Sequence, residues 1–457
     1  MGSGKRRGPL GPRDLALEVL TGVERGKNAG DLLDEALEGS DLSRAGRALA
    51  TEIAYGALRW RGLLDWMLQQ VLTTPLERLT PSIRNILRAG AYQIFCLDRV
   101  PARAAVYESV RLARERGHEG TARLVNAVLR NLDRRRDALV LPGDLDPVTS
   151  LAVRLSHPQW LVERWHRRFG PGETRALLEA NLEIPPLSIR ANSLRCTPEG
   201  LAKSLQEEGV ALRPGRYFPG AFTLESPPPL RAVRAFNKGL FTVQDESSML
   251  AGLVCHPRPG HIVIDACAAP GGKTIHLAEL MGDQGQVLAV DLSAARLSKV
   301  RENLQRLGPK CVKIVEADAR RLGALYPASA DRLLVDAPCS GLGVLRRNPD
   351  AKWIKTEGDI HALSKVQLEI LLGASPCLKP GGVLVYSVCS LEVEETRDVV
   401  ESFLSRSPVF RLDDMEGYLP EGLRGQGGQG GMLWLYPHRH GLDGFYLARM
   451  RRREGDP

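Results

Sequence analysis

From Phe236 onward, short apolar runs alternate with helix-patterned segments, and this rhythm constrains the fold more than any other feature of the 457-residue chain. The candidate strands are 262–265, 287–291, 312–315, 333–336, 383–388 and 445–448, with helical patterns between them at 294–307, 361–372 and 394–404. A strand that is apolar along its whole length is buried on both faces. Strands of that kind separated by helices form a doubly wound, mainly parallel sheet, so the expected fold class is α/β. Ligands bind such a sheet outside the carboxyl ends of its strands, so the residues that follow each run are the first candidates for a site.

Two cysteines fall there. Leu333-Leu334-Val335 runs into Asp336-Ala337-Pro338-Cys339-Ser340-Gly341, and Val383-Leu384-Val385 runs into Tyr386-Ser387-Val388-Cys389-Ser390. A cysteine at a strand end is often a small buried hydrophobe. Two of them at the ligand-binding edge, one beside a carboxylate, point instead to covalent chemistry. Cys96, Cys196, Cys255, Cys311 and Cys377 lack such a context and read as buried hydrophobes. The eight cysteines include no Cys-x-x-Cys pair, which argues against a metal site and a secreted disulfide framework and favours a reducing, cytoplasmic setting.

After the first strand comes Asp265-Ala266-Cys267-Ala268-Ala269-Pro270-Gly271-Gly272-Lys273-Thr274. Small residues and two glycines at a helix N-terminus let a ligand approach the backbone. Gly272-Lys273-Thr274 looks like the end of a phosphate-binding loop, but that motif needs glycine where Cys267 stands, and the dinucleotide Gly-x-Gly-x-x-Gly spacing is absent too. Asp291 ends the second strand, placed for ribose hydroxyls. Asp318 follows the third and is read either as a contact to a base or as a cap of the next turn. A nucleoside cofactor without phosphates fits this set, and S-adenosylmethionine is the candidate. The predicted cofactor residues are Cys267, Ala268, Ala269, Pro270, Gly271, Gly272, Lys273, Asp291, Asp318 and Asp336.

The rest of the chain divides by composition into a Gly/Arg-rich arm at 1–12 expected to be disordered, an all-helical region at 13–140, a linker and basic connector at 141–183, a small α+β insert at 184–235, the α/β domain at 236–452 and a tail at 453–457. The connector interleaves Trp160, Trp165 and Phe169 with Arg167 and Arg168, and reads either as a base-stacking surface or as an amphipathic helix docking its tryptophans. Gly425 to Gly431 reads as a mobile surface loop. A net charge of +8 fits a polyanionic partner, though ordinary solvated arginines produce it as well. No apolar stretch reaches the ~18 residues of a membrane span, so no membrane partner is expected.

Several motifs in order resemble the Sun (Fmu) family of RNA cytosine-5 methyltransferases. They are the loop at Asp265 to Thr274, Val335 to Gly341, Arg346-Arg347-Asn348-Pro349-Asp350-Ala351-Lys352-Trp353, Leu384 to Ser390, Val243-Gln244-Asp245-Glu246-Ser247-Ser248 and Asp443-Gly444-Phe445-Tyr446. Val125-Asn126-Ala127-Val128-Leu129-Arg130 resembles the signature of NusB-type RNA-binding domains. The resemblance implies a Rossmann-like S-adenosylmethionine-dependent methyltransferase domain behind a NusB-like domain, with 16S rRNA or an early small-subunit particle as partner. It also implies that Cys389 is the nucleophile and that Cys339 assists release of the adduct. The chain departs from the family at Val388, where threonine is usual, and at Thr396, where asparagine often stands.

The chemistry such an enzyme needs can be set out independently. Cytosine C5 is a poor nucleophile until a thiolate adds to C6 and makes C5 enamine-like. Charge building at N3 then requires a proton or hydrogen bond, and Asp336 and Lys273 are the available groups. Residue chemistry alone does not choose between the two cysteines, since DNA cytosine-5 enzymes carry their nucleophile in a Pro-Cys context like that of Cys339. Exocyclic-amine methylation is excluded, because those enzymes carry Asn/Asp-Pro-Pro-Tyr/Phe and here the fourth position is a thiol. Arg346, Lys352 and Arg190 are read either as RNA contacts or as solvated surface charges. The expected protein is a monomer. A tRNA target and a non-catalytic RNA-binding assembly factor are the rival readings.

Overall fold

The computed structural model describes residues 10–143, 145–426 and 430–455. The expected arm, the glycine-rich loop and the tail lie in whole or in part outside the described residues. The chain divides into two compact units, residues 1–183 with 345–355, and residues 184–344 with 356–457.

The first unit is helical. Its helices are Pro12–Val23, Ala29–Glu38, Arg44–Arg59, Arg61–Gln69, Pro81–Cys96, Ala102–Arg116, Glu119–Arg134, Pro147–Arg154 and Gln159–Leu182. Each start has a local cause. Asn28, Ser43 and Asp146 accept backbone N–H groups of the first turn, while Pro81 and Pro147 occupy first-turn positions where no N–H is needed. The apolar residues spaced three and four apart converge on one core containing Leu20, Ile53, Leu58, Ile86, Leu87, Val125 and Leu129. Gln159–Leu182 kinks where Gly170 takes φ 75° ahead of Pro171. Trp165 is fully buried, its ring 6.2 Å from that of His157. The connector therefore docks this tryptophan rather than offering it to a base. Among the described residues, no helix is long and apolar enough to cross a membrane.

Residues 345–355 belong to this unit. Asp350 accepts the Ala29 N–H at 3.1 Å, Trp353 donates to the Leu58 carbonyl at 2.7 Å, and the Arg59 guanidinium donates to the Arg346 carbonyl at 3.0 Å. Lys352 is buried with Nζ donating to the Arg59 carbonyl at 3.0 Å, and Arg346 is buried too. The expectation that these two side chains contact RNA is corrected: both are enclosed in protein.

The second unit holds two sheets. The smaller is antiparallel, in the order β2 (Ala211–Pro214), β3 (Ala221–Glu225), β1 (Leu187–Ala191), β4 (Phe241–Val243), with the helix Pro198–Glu207 sharing its core. Arg190 on β1 is buried, bonded to Glu279 and, at 2.9 Å, to Gln244. It too is removed from the expected RNA contacts. The larger sheet runs β10 (Phe410–Leu412), β12 (Phe445–Arg452), β9 (Leu378–Val388), β8 (Ala330–Asp336), β5 (Ile262–Asp265), β6 (Gln286–Asp291), β7 (Val312–Glu316), and β11 (Met432–Leu435) pairs with β12. Strands β5 to β9 are parallel and β12 is antiparallel to β9. Both faces are covered: Leu333, Val335, Leu384 and Tyr386 sit in one apolar layer, while Val263, Leu334, Val383 and Val385 sit in the other.

The six expected strands are all present. β10 and β11 were not expected: β10 is three residues long with Arg411 at its centre, and β11, though apolar throughout, is only four residues long. The helix expected at 361–372 begins earlier, at Glu357, because Thr356 and Asp359 cap each other. The pattern at 394–404 resolves into a short 3-10 turn, Val393–Glu395, and a helix, Arg397–Arg406.

Candidate active site

After β7 the chain crosses back to place β8 beside β5, so the strand order reverses between them and a crevice opens at their carboxyl ends. The loop after β5 forms one wall. Ala268 N–H bonds to the Val290 carbonyl at 2.8 Å, and Gly271 takes φ 104°, a backbone state that favours glycine, before the helix Gly272–Leu280 begins. A Cβ on Gly272 would meet nothing within 4 Å, so the backbone there faces open space. Asp291, at the end of β6, accepts Ala269 N–H at 3.3 Å and Ser293 N–H at 3.0 Å, with Arg296 at 3.3 Å.

Asp265 is fully buried. Thr274 donates to its Oδ2 at 2.7 Å, while Oδ1 has no partner among the described residues. Burial pushes its pKa up to about 7 against the pull of the Thr274 hydrogen bond. Burial also holds the Cys267 thiol protonated. Asp318 caps the turn Ala319–Arg321 and receives the Arg320 guanidinium at 2.7 Å, which lowers its pKa. Its carboxylate is thus committed to the capping alternative.

The second wall carries the thiols. Cys339, after β8, and Cys389, after β9, are half-buried with their sulfurs 3.2 Å apart. Asp336 accepts Lys273 Nζ at 2.7 Å and Ser387 Oγ at 2.8 Å, and Nζ lies 5.3 Å from the centre of the Phe445 ring. Burial works against the Lys273 charge, but the charge and hydrogen bond of Asp336 and the proximity of Cys389 raise its pKa overall. The hydrogen bond with Cys389 comes first, then burial, in pushing the Cys339 thiol well up. Cys339 therefore holds its proton.

The predicted Cys267–Lys273 loop, Asp336 and both cysteines thus come together at one crevice. Val388 lies in the apolar layer, and its neighbour Ser387 supplies the hydrogen bond to Asp336. Thr396 turns its hydroxyl back to the Glu392 carbonyl at 2.8 Å. Sequence reasoning missed Ser387, Phe445 and Glu395. The repeated Cys-Ser pair in both loops is the signal that could have led to Glu395, which collects both serines.

Gly343 shows how tightly the thiol loops are seated. Its N–H bonds to the Cys389 carbonyl at 3.0 Å, and its own carbonyl accepts Gly444 N–H at 2.8 Å. A Cβ there would stand 2.2 Å from the Gly444 oxygen and 2.9 Å from the Cys389 oxygen. Gly343→Ala is expected to cost about 1–3 kcal/mol of stability, read as a lower urea midpoint, because rigid backbone must move.

A doubly wound sheet with a glycine-rich loop at its switch point and carboxylates after the neighbouring strands defines a Rossmann-like methyltransferase, here with two thiols at the crevice. The family model described as 16S rRNA methyltransferase RsmB/F matches residues 252–451, the NusB family model residues 11–134, and the RsmF/B-like ferredoxin-like domain residues 157–231. A relative in Bacillus subtilis, named probable ribosomal RNA small subunit methyltransferase B, is 36% identical over 96% of this chain and 98% of its own length. Among solved structures, PH0851 superposes with a TM-score of 0.83 at 28% identity, covering 98% of this chain and 100% of that one. NSun6 from Pyrococcus horikoshii, solved with SFG, gives a TM-score of 0.58 at 27% identity over 65% of this chain and 98% of its own. The chain belongs to the 16S rRNA methyltransferase RsmB/F family.

Proposed function

We propose that this methyltransferase forms 5-methylcytosine at a cytosine of small-subunit rRNA, through a transient bond between Cys389 and C6 of the base. The observation that carries the reading is the thiol pair, 3.2 Å apart at the carboxyl edge and beside the Lys273–Asp336 ion pair. N-methylation has no use for two such sulfurs.

S-adenosylmethionine, when bound, supplies an electrophilic methyl group. The loop suits it: the backbone at Gly272 is open, Asp291 at the end of β6 would accept ribose hydroxyls, and Oδ1 of Asp265 has no partner among the described residues. The family relative solved with SFG, an analogue of that cofactor, supports the same choice. Cys267 to Lys273, Asp291 and Asp336 would line its site. Asp318 is a member only if Arg320 releases it.

Cys389 adds as a thiolate to C6, and the displaced electron pair moves toward N3. Lys273, held by Asp336, offers positive charge and a proton there. C5 would then take the methyl group as the sulfonium carbon–sulfur bond breaks, becoming tetrahedral, and N3 would return its proton to Lys273. When the C5 proton leaves, its electron pair restores the C5–C6 double bond and the C6–S bond breaks. The departing thiolate receives a hydrogen bond from the protonated Cys339. The target base must be unstacked to reach the thiol, which fits a single-stranded or splayed nucleotide. The helical unit matched by the NusB model is the proposed grip on RNA. The protein would act as a monomer in the cytoplasm, on 16S rRNA or an early small-subunit particle.

The purified chain, incubated with S-adenosylmethionine and unmodified 16S rRNA, is expected to yield 5-methylcytidine on nucleoside mass spectrometry, with bisulfite protection at one cytosine. Recovery of N4-methylcytidine, or transfer to tRNA but not to rRNA, would overturn the reading.

A further inference from the structure

The two thiol loops share one anchor that takes no part in the chemistry above. Glu395 is fully buried in the turn between β9 and the helix Arg397–Arg406. Its Oε1 accepts the Ser340 N–H at 2.7 Å and Gln367 Nε2 at 3.1 Å. Its Oε2 accepts both serine hydroxyls, Ser340 Oγ and Ser390 Oγ, each at 2.5 Å. Ser340 follows Cys339 and Ser390 follows Cys389, so each thiol sits one residue from a tether to the same carboxylate.

We propose that Glu395 is a positioning residue that sets the spacing of the two thiols by clamping the Cys339-Ser340 and Cys389-Ser390 loops onto a single carboxylate. The roles of the thiols rest on the proposed reaction; the clamp itself rests on geometry.

Several observations point to positioning rather than to ordinary core packing. A carboxylate is costly to bury, and the four donors bonded to this one are uncharged. Burial raises its pKa against those hydrogen bonds. An apolar side chain would fill the same space at lower cost, but only a group with two acceptor oxygens can gather donors from two loops. The remaining contacts extend the clamp. Gln367 Nε2 also bonds the Pro338 carbonyl at 2.9 Å, just before Cys339, and the Tyr386 hydroxyl reaches Gln367 at 3.1 Å and the Glu395 carbonyl at 2.6 Å. Each serine hydroxyl accepts a backbone N–H two residues on, from Leu342 at 3.4 Å and Glu392 at 3.2 Å, closing both turns.

The test measures thiol spacing directly. Diamide, a two-electron oxidant, joins two adjacent thiols as a disulfide and takes up their two electrons and two protons to become the hydrazine. In the full-length protein, Cys339 and Cys389 are expected to link rapidly, as seen by peptide mass mapping. Glu395→Gln is expected to slow that linkage and to lower kcat about 100-fold, as misplacement by an ångström does, while KM for S-adenosylmethionine and the melting temperature hold. The double variant Ser340→Ala, Ser390→Ala keeps the carboxylate but cuts its hydroxyl tethers, and should show the same two losses. If both variants fold and both rates equal those of the wild type, the clamp is wrong. The oxidation assay needs no RNA. A wild type that makes no 5-methylcytosine, yet whose linkage rate depends on Glu395, overturns the proposed reaction and leaves the clamp standing.

Discussion

Cys389→Ala is expected to abolish methyl transfer, lowering kcat by about four orders of magnitude or more, as loss of a covalent nucleophile does elsewhere. Without the sulfur, C5 has no route to nucleophilic character, and neither bound cofactor nor bound RNA compensates. Cofactor affinity should hold, because Cys389 is not among the residues proposed to line the cofactor site. RNA containing 5-fluorocytidine separates the roles of the two thiols. Fluorine on C5 cannot leave as a proton does, so the wild type should be trapped as an SDS-resistant complex, and Cys389→Ala should form none. Cys339→Ala keeps the attacking sulfur and loses the hydrogen-bond donor 3.2 Å away. It should therefore accumulate the adduct even on ordinary RNA, with slow release. If Cys339→Ala abolishes the adduct and Cys389→Ala keeps it, the two roles are exchanged.

The alternation of apolar strands and helices made the catalytic sheet legible, because burial on both faces leaves a pattern that local sequence carries. The glycine-rich loop was legible for a similar reason: Gly271 occupies a positive φ that favours glycine. What remained hidden depends on partners far apart in the chain. Lys352 and Arg346 carry surface chemistry in the sequence and lie buried in the structure, with Lys352 meeting a carbonyl 293 positions away. Arg190 likewise finds Glu279. Nothing in the local pattern distinguishes a basic residue with a distant buried partner from one in solvent. Asp318 could be read as a ligand group or a cap, and Arg320 two residues on decided for the cap. Glu395 was visible only as half of an acidic pair. Its role emerges when β8 and β9 bring two Cys-Ser loops, 50 residues apart, to one place.

Asp265 carries the second large expectation, and its sign depends on pH. In the folded protein this buried carboxyl keeps its proton up to pH about 7, whereas in the unfolded chain it ionises near 3.9. The folded state therefore binds the extra proton between those values, and stability falls as pH rises from about 4 to about 7. The charges around it partly oppose one another: Asp336 and Asp291 favour the protonated form, and Lys273 the ionised one. Burial outweighs them all. Asparagine imitates the protonated carboxyl, since it can still accept the Thr274 hydroxyl through its carbonyl oxygen. Asp265→Asn is then expected to be nearly neutral in stability at pH 4.5. At pH 8 it should be more stable than the wild type by on the order of 4 kcal/mol, from about three pKa units at 1.36 kcal/mol each. Urea titrations of the cofactor-free protein and variant at the two pH values supply the measurement. A stability difference that is the same at both would mean that Asp265 is ionised throughout, with a donor on Oδ1, and that the carboxyl end of β5 carries a charge at neutral pH.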